Sequence, residues 1–350
     1  MAYENFAKQK GFEPDTVILE HGGLGHWIGD KTAKDVVVYF HGKKPIQEST
    51  TYNTQNIYIY SKSGTRFQDR TANHVTNSGG GFQVSADPVF FDVYSRLITD
   101  INSQGHNIAF FFLTYSLTPH ASYPTQLRQC VEALRYIVIR ADRLPSNVFI
   151  GGDSAGGNLA LAVLLHLTHP QPDIEPLEIS HPLAGIFTIG PWGCLRLDGC
   201  PSEEENRYKD LFPKQAGDKW AEAYLNDRLP DSWSNPFLAP DEWWCGVQVK
   251  HVLILAGSEE ILLSQIENFV PKLKVRHIVR YSARIFKKAN CYPQNAVPDT
   301  IFAVGLGEGH VSLIFDRILG DESQTKQETE LRRWLADILG QKLVAVQLAI

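Results

Sequence analysis

The stretch NVFIGGDSAGGNLALAVLL, residues 147–165, constrains the fold of this chain more than any other. A short β-branched and aromatic run leads into Gly152-Asp153-Ser154-Ala155-Gly156, and an apolar run of helical length follows at once. Small residues on both sides of Ser154 permit a tight strand-to-helix turn that lifts its hydroxyl above a sheet, the arrangement called a nucleophile elbow. A helix that starts directly after the serine points its first amides, Ala155 among them, and its positive dipole end at any negative charge formed there. The plain alternative is a glycine-rich turn with an incidental serine, and the strand before and helix after weigh against it.

The rest of the chain keeps the same alternation. Residues 36–40, 108–115, 148–151, 183–190, 251–257 and 300–305 read as strands, and 126–141 and 155–169 carry apolar residues at helical spacing. This predicts an α/β fold with a mostly parallel central sheet and helices on both faces. At 350 residues and 43% apolar content the chain can bury one sizeable core, so 1–350 reads as a single domain. Residues 195–246 break the rhythm by being acidic and rich in Pro and Trp, and they read as a helical cap inserted over the sheet. The net charge of −6 is spread along the whole length, leaving no basic stripe for nucleic acid or an anionic membrane. The longest apolar runs, IAFFFL and LALAVLL, are too short to span a bilayer, and MAYENFAKQKGFEPD lacks the apolar core of a secretory signal, so a cytoplasmic protein is expected. The five cysteines form no CxxC pair and read as reduced, structural thiols. HLTH, residues 166–169, is too poor a pattern for a metal site, and neither metal nor cofactor is expected.

A serine nucleophile needs a base, and the base needs an acid to orient it. HVLILAGSEEIL, residues 251–262, sets Glu259 and Glu260 just past a strand end, where a loop can aim a carboxylate across the top of the sheet. Glu260 is the preferred acid, because Ile261 and Leu262 follow it directly. GLGEGHVSLIFD, residues 305–316, sets His310 in a glycine-rich loop ahead of a helix. Each has a bland reading, a solvated acidic turn or a helix-capping histidine. Together, in the order serine, acid, histidine, they point to acyl-transfer chemistry.

GDSAGG, with YSLTPHASYPTQLRQCVEALRYI at 115–137, resembles the hormone-sensitive-lipase-like branch of the α/β-hydrolases, its filamentous-fungal members above all, and the resemblance runs from about Trp27 to Leu339. It implies an α/β-hydrolase fold and a serine esterase that cleaves a carboxylic ester of a small or medium organic molecule through an acyl-enzyme, in fungal secondary metabolism. Ser154 is then the nucleophile, Glu260 the acid and His310 the base. The same three residues would serve an amidase or an acyltransferase, and a hydrolase-fold binding protein with impaired catalysis is the non-enzymatic alternative.

The family's early strand runs into a contiguous His-Gly-Gly-Gly loop whose amides stabilise an oxyanion. Here that motif is split: His41-Gly42 ends one strand, and Gly79-Gly80-Gly81-Phe82 arrives only after residues 43–79. The amides of Gly79, Gly80, Gly81 and Ala155 are the expected oxyanion hole. HGGLGH at 21–26 is set aside, since no hydrophobic strand precedes it and Trp27-Ile28-Gly29-Asp30 reads as a turn. Stretch 43–79 is polar and aperiodic, and a loop of that length closes at modest entropic cost. Its codons also permit an intron: GGTAAG at Gly42-Lys43, GCTAAC at Ala72-Asn73 and CAG across Ser78-Gly79, with in-frame removal joining YFHGGGF. Residues 279–294 permit the same pattern, so both inserts read as translated introns.

Overall fold

In the computed structural model, which describes residues 2–43, 81–83, 86–274 and 298–348, eight strands form one sheet. They are β1 (Thr16–Ile18), β2 (Leu24–Ile28), β3 (Asp35–Lys43), β4 (Ile108–Ser116), β5 (Val148–Asp153), β6 (Leu183–Ile189), β7 (Val249–Gly257) and β8 (Asp299–Gly305). Their spatial order is β1-β2-β4-β3-β5-β6-β7-β8. The β1–β2 and β2–β4 pairs are antiparallel, and every pair from β4 through β8 is parallel. All six strands expected from the sequence are present.

Both faces of the sheet are covered, which is why β5 and β6 are buried at every position and show no polar alternation. Strand β3 shows the division. Val36, Val38 and Phe40 join one core with α3 (Thr125–Arg135) and α4 (Ala155–His166), through Leu127, Val131, Leu159 and Val163. Val37 and Tyr39 join the opposite core with α1 (Ala2–Lys10), α2 (Pro88–Ser103) and α9 (Lys326–Leu348), through Phe6, Phe91, Leu97 and Trp334. Helix α4 is buried along its whole length. Each such fully buried large apolar side chain contributes about 1.5–3 kcal/mol of transfer free energy.

One expectation is corrected. Trp27 and Ile28 belong to strand β2, not to a turn. His21 (φ 61°) and Gly22 (φ 84°) reverse the chain after β1, so Leu24–Ile28 returns antiparallel to it and pairs with β4, Trp27 lying opposite Phe111. A five-residue strand with a glycine inside offers too little alternation to be recognised alone.

Between β6 and β7 the chain carries α5 (Pro201–Asn206), α6 (Lys214–Leu225) and two short 3-10 turns, Pro236–Leu238 and Asp241–Trp244. Leu195, Leu197, Phe212, Tyr224 and Phe237 of this segment pack into the core shared with α3 and α4. After β7 come α7 (Leu263–Lys274) and, beyond β8, α8 (Ser312–Ile318). Apart from Lys43, the expected inserts 43–79 and 279–294 lie outside the described residues. Among the described residues no helix is long and apolar enough to cross a membrane.

Candidate functional site

The turn after β5 holds Ser154 at φ 50° and ψ −116°, a conformation a non-glycine residue adopts only when its surroundings over-determine it. Those surroundings are tight. A Cβ on Gly152 would lie 2.3 Å from the carbonyl oxygen of Gly156, and one on Gly156 would lie 2.0 Å from that of Phe40, so any side chain at either position would push the turn off the sheet. Hydrogen bonds fix the serine backbone on both sides: Ser154 N–H donates to Ile189 O (2.9 Å), and Trp192 N–H donates to Ser154 O (3.0 Å). Helix α4 begins at Ala155, leaving its first amides without intrahelical partners.

Glu260 lies in the turn between β7 and α7 and is fully buried. Both carboxylate oxygens are engaged: Oε1 accepts from Gly257 N–H at 2.8 Å, and Oε2 is 2.6 Å from His310 Nδ1. A carboxylate on Nδ1 keeps the proton there, which leaves Nε2 as the acceptor. Burial works against protonation of His310, but the hydrogen bond and charge of Glu260, helped by Asp210 and Asp153, outweigh it and raise the pKa above the ordinary histidine value. Glu259 is half-exposed, and its N–H donates to Glu308 O (2.9 Å).

Gly190 ties the serine to this pair. It follows Ile189, at φ +52°, and a Cβ there would lie 2.7 Å from Glu260 Oε2 and 2.7 Å from His310 Nδ1. The ends of β5, β6 and β7 and the loop after β8 thus bring Ser154, Glu260 and His310 to one edge of the sheet. The direct contact in the set is His310 with Glu260; Ser154 is tied to it through the backbone, its N–H bonding Ile189 O, the residue before Gly190.

Of the expected oxyanion amides, Gly79 and Gly80 lie outside the described residues. Ala155 starts helix α4 beside Ser154, and Gly81 is buried under the segment between β6 and β7, where a Cβ would come within 2.3 Å of Trp220. Phe82 is anchored next to it by Thr118 N–H to Phe82 O (2.9 Å) and by a parallel stack on Tyr224, ring centroids 3.7 Å apart.

Two features were invisible in the sequence. Tyr94 donates to the Tyr39 hydroxyl (2.6 Å), which donates to Asp153 Oδ1 (2.6 Å), so a buried chain of hydroxyls holds the residue preceding the serine. Burial, then the nearby Asp153 charge, raises both tyrosine pKa values well above normal and keeps them neutral donors. Tyr39 and Tyr94 are indistinguishable by spacing from core aromatics. The other feature is Asp210, a buried carboxyl near His310 and Glu260. His166 and His169 are structural: His166 Nδ1 accepts from Gln171 N–H (3.0 Å), and His169 stacks on Trp243. Among the described residues no three His, Cys, Asp or Glu side chains gather as metal ligands.

Comparison with known proteins agrees with this fold. A family model described as α/β hydrolase fold matches residues 78–289, more than half of the chain. An esterase of Acinetobacter venetianus is 25% identical over 196 residues, covering 55% of this chain and 58% of that protein. The hormone-sensitive lipase of Mus musculus is 28% identical over 132 residues, covering 37% and 16%. The chain thus spans at most 58% of the length of these curated relatives. A solved esterase of the bacterial hormone-sensitive lipase family superimposes with a TM-score of 0.62 at 20% identity, over 93% of this chain and 83% of that one. The strand order, the strained serine turn and the matched family model lead to one conclusion: the chain belongs to the α/β-hydrolase family, with hormone-sensitive-lipase-like proteins among its relatives.

Proposed function

We propose that the protein is a serine esterase that hydrolyses a carboxylic ester of a small or medium organic molecule. The observation that carries this reading is the strained Ser154 turn beside a buried, hydrogen-bonded Glu260–His310 pair. In this reading Ser154 Oγ attacks the ester carbonyl while His310 Nε2 takes its proton. Glu260 holds the ring in the required tautomer and stabilises the imidazolium. The amides of Ala155 and Gly81, with those of Gly79 and Gly80, receive the charge on the carbonyl oxygen. His310 then protonates the leaving alcohol, and a water activated by the same imidazole releases the acid and regenerates the serine.

An aromatic arch supports an apolar or aryl group on the substrate. Phe212 packs edge-on to His310 (5.4 Å between ring centroids) and contacts Trp220 (5.2 Å), Trp220 contacts Trp192 (6.5 Å), and Trp192 contacts Phe82 (6.0 Å). Such a wall favours apolar surface over a charged ligand. The resemblance to filamentous-fungal enzymes supports a place in secondary metabolism, and the free thiols of Cys130, Cys194, Cys200 and Cys245 fit a reducing, cytoplasmic setting. Residues 195–246 act as the cap. Stretches 43–79 and 279–294 are inserts from translated introns, the reading that their permitted codons support.

The test is a panel of activated esters of graded acyl length, including an aryl acyl group, with an amide and an alcohol acceptor alongside, run on this chain and on Ser154→Ala. Ester turnover that disappears in the variant is expected. Hydrolysis no faster than the variant's on every ester would refute the reading, and preference for the amide or the acceptor would reassign the reaction.

A further inference from the structure

Three buried polar side chains of the segment between β6 and β7 face the turn that carries Glu260. Ser202 and Asn206 sit four apart in α5, hence on one face. The chain makes one further turn, Asp210 N–H donating to Asn206 O (3.1 Å), so Asp210 extends the row. Ser202 Oγ donates to Ile261 O (2.7 Å), and Asn206 Nδ2 donates to both Ser258 O and Glu260 O (3.1 Å each). The Asp210 carboxylate accepts from Ile261 N–H through Oδ2 and from Leu211 N–H through Oδ1 (2.6 Å). All three side chains are nearly inaccessible, at 3%, 3% and 5% exposure. The backbone of 258–261 belongs to neither strand nor helix, and its polar groups need such partners.

Two N–H groups, those of Ile261 and Leu211, each take an oxygen of residue 210, which a carboxylate supplies and an amide, with one oxygen, does not. A buried carboxylate is tolerable mainly where a cation forms nearby. The charged groups facing Asp210 are Glu260 and His310; the ammonium of Lys209, on its own turn, is engaged with Asn206 Oδ1 (3.2 Å). Of these, the imidazole gains positive charge in the proposed reaction, so the attraction is stronger in the transition state than before it.

We propose that Asp210 is a positioning residue, a second carboxyl behind the Glu260–His310 pair, which fixes the acid turn from the cap and stabilises the imidazolium that forms there. This inference rests on the serine-esterase reading above. Burial, partly offset by the His310 charge and reinforced by Glu260, pushes the Asp210 pKa up to about 7, so the carboxyl is partly ionised near neutral pH and gains charge as pH rises. Ionised Asp210 in turn raises the His310 value.

The experiment compares the full chain with Asp210→Asn by pH–rate profile, by thermal unfolding and by NMR titration of the His310 ring. Expected for Asp210→Asn are a fall in kcat of roughly tenfold with KM nearly unchanged and a downward shift of the rate profile's acid limb and of the His310 titration by roughly half to one pH unit, while the N–H left without an acceptor lowers the unfolding temperature in either case. A merely structural role would leave both titrations in place, and that result overturns the inference. Should Asp210→Asn fail to fold, the parent protein decides: a His310 titration with a second inflection near pH 7 supports the coupling, and a single inflection overturns it. Loss of the esterase reading would be recognised separately, as ester turnover no different in Ser154→Ala.

Discussion

Replacing Gly190 by alanine tests the site at its most crowded point. The new methyl would sit 2.7 Å from Glu260 Oε2, 2.7 Å from His310 Nδ1 and 2.9 Å from His310 Cε1, where ordinary contacts begin at about 3.5 Å. The targets cannot swing away, since Glu260 is fully buried and His310 is 4% exposed. Nor can the backbone retreat, because Gly190 N–H is bound to Leu255 O at 2.8 Å. Two costs add: about 1–2 kcal/mol for a side chain in the left-handed region at φ +52°, and about 1–3 kcal/mol for overpacking. Much of that strain is relieved by moving the imidazole off Glu260 by roughly half an ångström or more, and displacements approaching 1 Å cost about 10²-fold in rate. Gly199→Ala is the control, with φ +74° and nothing within 4 Å of the added carbon, so it carries the backbone cost alone. Turnover of an activated ester and thermal unfolding should be measured on both. Gly190→Ala should lose about 10²-fold in kcat and melt several degrees lower, whereas Gly199→Ala should keep its activity. Near-parental turnover in Gly190→Ala, or equal losses in both, would refute the reasoning.

Further expectations concern the same residues. Ser154→Ala and His310→Ala should each reduce ester hydrolysis by about 10³-fold or more with folding intact, and Glu260→Gln should be severe where Glu259→Gln is mild; steady-state kinetics that reverse the glutamate ranking would move the acid by one position. Because the His310 pKa lies above its ordinary value, kcat/KM should climb with pH through a midpoint above pH 6.5, and Glu260→Gln should lower that midpoint. The linked stability has a definite sign: protonated His310 favours the fold fully below its unfolded pKa, and that support is lost as pH rises through the raised folded value, so denaturant midpoints should fall across that window in the parent and not in His310→Ala. Deleting residues 43–79 should raise esterase activity if they are intron-derived, since the short loop holds the oxyanion amides in place and one such donor contributes about 10²–10³ in rate; an unchanged or lower rate would identify the stretch as a functional part of the enzyme.

What the sequence determined by itself was local chemistry. The elbow is legible because strand, small residues, serine and apolar helix are contiguous, so a single window contains both the turn and the reason for it. Strands β3 to β7 are legible because burial on two faces demands near-continuous apolar runs, and β2 was missed because its five residues include a glycine and one of its two partners, β4, lies more than 80 residues away. Tertiary structure alone decided which groups meet. Glu260 and His310 are 50 residues apart, Tyr39 and Asp153 are 114 apart, and Asp210 reaches the acid turn across 51. Nothing in the spacing of Asp210 separates it from its acidic neighbours, because a carboxylate on a solvated face and one buried beside an imidazole look alike in sequence. The difference arises from desolvation and from charges that arrive only when β6, β7 and β8 place their loops together at one edge of the sheet.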